Sequence, residues 1–174
     1  MNLKKVKIIG IFIIFILCIF LHYLYDKIPN TLTSIISPVN ESIWEHMKLI
    51  YTSFIIYGMI EYIIIKNKTK INNFTIQLFL VPIIGIIIYL IIYLPIYHII
   101  DENLFISISL LFITIVFEEF LSYYFLTNNT IKKQFITGLI GIILSYSLFG
   151  LLTYYPPETE LFFDLQDNTY GIKN

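Results

Sequence analysis

Pro38-Val39-Asn40-Glu41-Ser42-Ile43-Trp44-Glu45-His46-Met47-Lys48 runs straight into an apolar stretch that continues to Ile65. That junction decides the fold: acid, amide, imidazole and indole gather at the head of a run long enough to cross a bilayer. Pro38 cannot continue a helix and pushes Ser37 towards extended backbone. Asn40 suits an N-cap, so the helical pattern is expected to begin at Glu41. Glu41 and Glu45 are four apart and Lys48 is three further on, which brings all three to one side of a helix. An acid at Glu41 would also complement the positive end of the helix dipole. His46 is about 100° round from Glu45 and faces elsewhere. Trp44, an apolar ring with one N–H, is of the type that lies at a membrane interface. Two explanations fit these residues: a capped helix start in the headgroup zone with Glu45 and Lys48 as a local ion pair, or a polar site for a metal or a head group.

Working outward, the rest of the chain is equally apolar. Of 174 residues, 57% are hydrophobic and 13% are charged, whereas a soluble domain carries about 25% charged residues. The apolar residues come in long runs, and these predict spans at about 6–25, 43–65, 75–97, 104–126 and 134–153. The first run follows Lys4, Lys5 and Lys7 as a signal peptide would. It is too long for a signal h-region and lacks a small-residue cleavage site, so an uncleaved span is expected. Pro82 and Gly85 predict a kink in the third span and Pro95 its exit. Gly138, Gly141 and Ser145 put small residues on one face of the fifth, which suits close helix packing. Cys18 is the lone cysteine, so no internal disulfide forms, and it reads as a small buried hydrophobe. The net charge of −1 implies no nucleic acid partner.

Lysine placement sets the expected orientation. Lys4, Lys5, Lys7, Lys66, Lys68, Lys70, Lys132 and Lys133 fall at one end of the spans, and Lys27, Lys48 and Lys173 at the other. The positive-inside rule then puts the N-terminus in the cytoplasm and the C-terminus outside. The expected architecture is a single all-α membrane domain over residues 1–174, a polytopic bundle of five transmembrane helices in the plasma membrane. Tyr155-Pro156-Pro157 gives a stiff exit to an outer tail, 154–174. The aromatics Phe162, Phe163 and Tyr170 are expected to fold that tail back over the outer openings.

The run Pro38 to Lys48 resembles the signature of an uncharacterised family of small bacterial membrane proteins, the domain of unknown function 6512 family. So do His22-Tyr23-Leu24-Tyr25-Asp26, Tyr155-Pro156-Pro157, Leu161-Phe162-Phe163-Asp164 and Thr169-Tyr170-Gly171-Ile172. The resemblance covers nearly the whole chain, since these pieces sit at matching places along it. The resemblance implies the architecture and marks these polar segments, but it implies no chemistry.

The expected topology brings His22, Asp26, Glu41, Glu45, His46, His98, Asp101 and Asp164 to the outer face. Imidazole and carboxylate are the usual ligands of a divalent metal such as zinc. The expected metal set is His22, Glu41, Glu45 and Asp164. Candidates for catalysis are Glu41, Glu45, His46 and Asp164, and candidates for binding are Asn40, Trp44, Lys48 and Tyr170. A lipid head group or small amphiphile would lie where these residues meet the bilayer. Glu61, Glu118 and Glu119 fall within spans. They are expected either to be protonated, to pair with Lys66 or Lys132, or to form a proton or cation path. Three functions stay open: a metal-dependent or head-group-directed membrane enzyme, a small transporter, and a non-catalytic assembly or sensor protein.

Overall fold

The computed structural model describes residues 2–68, 71–101 and 103–172. Lys70 and Lys173, which entered the charge expectation, lie outside the described residues. The elements follow in the order α1 (Leu3–His22), α2 (Leu24–Lys27), α3 (Thr31–Ile36), α4 (Ile43–Ile65), α5 (Phe74–Ile100), α6 (Leu104–Thr127) and α7 (Gln134–Tyr154). A short hairpin of β1 (Phe163–Asp164) and β2 (Thr169–Tyr170) follows α7. α1, α4, α5, α6 and α7 are each long and apolar enough to cross a membrane. The protein is a polytopic helical bundle.

α4 is the central helix. Of its most apolar stretch 67% is buried, against 28–33% for the other four. α1 packs on α4 and α6, and α5 packs on α4, α6 and α7. The outward faces are apolar too: Phe12, Ile16 and Phe20, spaced four apart along α1, are 58%, 62% and 64% exposed. A continuous apolar stripe of this kind belongs in lipid.

Three local expectations need correction. The stretch left between the first two expected spans is partly helical, because α2 and α3 form there; Asn30 and Thr33 form a capping box that starts α3. α4 is capped by Ser42, whose side chain accepts from the Glu45 backbone N–H. Asn40 spends its carbonyl on the Ser42 N–H and its amide on the Gly171 carbonyl. Glu41 therefore precedes the helix instead of sharing a helical face with Glu45. α5 runs through both prolines to Ile100, past the exit expected at Pro95. Each proline removes a single hydrogen bond, and in an apolar surrounding the helix continues because its other backbone groups have no alternative partners.

α7 approaches α5 through its small residues. A side chain at Gly138 would strike the Thr75 and Ile76 backbone, and one at Gly141 the ring of Phe79. At the lysine-rich end, Asn73 ties two connections together by bonding the Phe125 and Asn129 carbonyls and the Ile131 N–H. The opposite end collects the C-terminus of α1, the N-terminus of α4 and the hairpin.

Candidate metal centre

The stretch from Pro38 to Lys48 divides its work between two places. Asn40, Trp44, Glu45 and Lys48 face the tail and α7, while Glu41 and His46 face α1.

On the tail side, Lys48 is fully buried and Glu45 is 2% exposed. The Lys48 ammonium pairs with Glu45 Oε2 and donates to the Ser34 carbonyl at 2.7 Å and to Thr153 Oγ1 at 2.6 Å. Glu45 also accepts from the Val39 N–H at 3.0 Å and from Thr153 at 2.9 Å. A buried ion pair is tolerable when its remaining donors and acceptors are met in this way. It joins α3, α4 and α7. Trp44 stacks near Phe162 of the tail, with ring centroids 5.0 Å apart, and near Phe149 of α7 at 5.7 Å. Tyr170 packs on Phe163 within the hairpin.

On the α1 side, Nδ1 of His46 lies 2.9 Å from the Ser42 carbonyl. A carbonyl oxygen only accepts, so Nδ1 carries the hydrogen. Nε2 then points at Glu41 Oε2, 3.3 Å away. His22, at the last position of α1, places its own Nε2 3.7 Å from Glu41 Oε1. The His22 and His46 rings are 5.3 Å apart. Ligand atoms from His22, Glu41 and His46 all lie within 4.8 Å of one another. Ligands about 2 Å from a tetrahedral zinc stand roughly 3.3 Å apart, so the set is near closing distance. The His46–Ser42 bond also fits a metal ligand, because a ligating histidine commonly gives its other ring N–H to a backbone carbonyl.

Asp164 stands behind this group and does not join it. It is fully buried; Oδ1 accepts from the Gln166 and Asp167 N–H groups, and Oδ2 from the Glu41 N–H at 3.1 Å. These bonds tie Asp164 to the backbone that carries Glu41. Of the expected ligand set, the fold thus brings His22 and Glu41 together, adds His46, and commits Glu45 and Asp164 elsewhere. The departure has a local cause. With the helix starting at Ile43, Glu41 sits on a non-helical turn from which it reaches His46. His98 is not among the grouped ligand atoms and lies 3.7 Å from Glu160, both well exposed.

The group sits at the polar end of a pocket of about 530 Å³. Its walls include Phe15 and Ile19 of α1, Tyr89, Tyr93 and Tyr97 of α5, and Leu111 of α6. A smaller pocket of about 140 Å³, with Asp26, Asn40 and Asp167 in its wall, shares His22 and Glu41 with it. The tyrosine ladder escaped the sequence reading although its signal is plain: Tyr89, Tyr93 and Tyr97 recur every four residues and stack at 5.2 and 5.9 Å.

Fold and site define a small multi-pass membrane protein with a His-Glu-His cluster beside an apolar pocket. The chain belongs to the family of unknown function DUF6512, whose model matches residues 1–172. No curated protein and no solved structure matches it.

Proposed function

We propose that this protein binds a divalent metal such as zinc through His22, Glu41 and His46, and uses it on the polar head of an amphiphile whose apolar part occupies the adjoining pocket. The observation that carries this reading is the approach of three ligand atoms to within 4.8 Å at the polar end of an apolar cavity. Two imidazoles and one carboxylate leave a fourth position for water or a head-group oxygen, the arrangement of catalytic rather than structural zinc sites. A metal so held polarises a carbonyl or phosphoryl oxygen, or activates a water for hydrolysis. The pocket volume is within the usual range for small-molecule sites. Glu41 and His46 would act as ligands, with Glu45, Lys48, Asn40, Trp44 and Asp164 holding the turn that presents them. The lysine distribution favours an outward-facing site in the plasma membrane, within reach of lipid head groups.

The test is metal content of the purified chain after dialysis against limiting zinc. About one zinc per chain is expected. His22→Ala and His46→Ala should each lose most of it while keeping their helical circular dichroism, and His98→Ala should retain it. A wild-type chain that stays metal-free on zinc titration would overturn the proposal.

A further inference from the structure

The opposite half of the bundle holds a second polar group, unrelated to the metal centre. Lys7 of α1 is 5% exposed although it follows Lys4 and Lys5 in sequence. Its ammonium donates to Glu61 of α4 at 2.7 Å and to Ser122 of α6 at 2.6 Å, and lies 3.6 Å from Glu119 of α6. Ser122 in turn donates to Gln77 of α5 at 2.8 Å. The partner of Glu61 and Glu119 is therefore Lys7, not Lys66 or Lys132. Glu118 is fully buried, and neither of its carboxyl oxygens meets a hydrogen-bonding group among the described residues. The same holds for Glu61 Oε1 and for hydrogen bonds to Glu119.

Room for these acids is built into the neighbouring helices. A side chain at Gly85 of α5 would fall on the Glu118 carboxyl, and one at Gly10 of α1 would meet Glu119 and the Tyr57 ring. Glu61 and Glu119 thus share one ammonium, Glu118 stands next to Glu119 with no cation of its own among the described residues, and all three acids are at most 1% exposed. Ionising all three would leave two uncompensated negative charges among apolar side chains, which the membrane interior strongly opposes. A metal ion does not fit as the missing charge. Lys7 already lies against Glu61 and Glu119, and among the described residues these oxygens do not converge to a ligand set. Among the described residues, the other titratable groups facing the acids are Tyr57, whose hydroxyl donates to the Val6 carbonyl at 2.6 Å, and Cys18, whose thiol lies within electrostatic reach of Glu118 and bonds Ser53. Neither supplies a positive charge.

We propose that Glu118, Glu119 and Glu61 with Lys7 form an intramembrane proton-binding site, in which Glu118 holds an exchangeable proton at neutral pH. The Lys7-Ser122-Gln77 chain orders the ionised part of the site, and Glu118 is its neutral member. Infrared spectroscopy of the full chain in lipid vesicles reads this directly. The wild type should show the carbonyl stretch of a protonated carboxylic acid at pH 7. The band should shift in D2O and should weaken or vanish in Glu118→Gln. Carboxyl-13C glutamate labelling of the wild type gives a reading that needs no variant, since the band must move with the label. The proposal is overturned if the labelled wild type shows no such band, or if Glu118→Gln retains it in full. A band that does not respond to D2O would also overturn it, since the acid would then be sealed and structural.

Discussion

Lys48 is the cation on which the capped end of the bundle turns. It is fully buried and bonds groups from α3, α4 and α7 at once. Removing one member of such a pair strands the other, at a cost of about 3–5 kcal/mol, whereas removing both charges costs much less. Lys48→Met should therefore lower the melting temperature in detergent far more than Lys48→Met combined with Glu45→Gln. Equal melting of the two variants would show that the pair is uncoupled. The pairing itself was legible from the three-residue spacing of Glu45 and Lys48. The fate of Glu41 was not. Whether it joins Glu45 or His46 depends on a shift of the N-cap from Asn40 to Ser42, and both residue types cap well. The tail settles it, because Gly171 draws off the Asn40 amide and Asp164 takes the Glu41 N–H. Contacts across more than 120 positions leave no local trace.

The five long helices were legible because a membrane demands long apolar runs, and the apolar residues here have no other way to be arranged. The short helices α2 and α3 were not, since four or six residues carry little periodicity; only Asn30 and Thr33 announced one of them. Small residues on α7 did announce a close approach, and α5 supplies the partner surface. Gly138 faces backbone of α5, which cannot move aside as a side chain can. Gly138→Ala should lower the melting temperature by an amount corresponding to about 1–3 kcal/mol of overpacking. Gly150→Ala should be close to neutral, because its nearest neighbour is a side-chain carbon of Ile35 at 3.4 Å. Similar losses at the two positions would contradict this packing of α7 on α5.

Considered whole, the molecule separates two kinds of polar chemistry by the thickness of its apolar middle. One end carries the His22, Glu41 and His46 group under a folded tail; the other carries Lys7 and its acids. The lysine asymmetry predicts that the first end faces outward. A reporter active only outside the cytoplasm should work when fused after the last residue, and activity of a cytoplasm-only reporter there would reverse the orientation. The proposed function rests on the metal, and X-ray absorption at the zinc edge of the zinc-loaded full chain examines it most directly. Two imidazole nitrogens and one or two oxygens at about 2.0–2.2 Å are expected around the zinc. A shell containing sulfur, which would implicate Cys18, or one without histidine scattering would contradict the assignment.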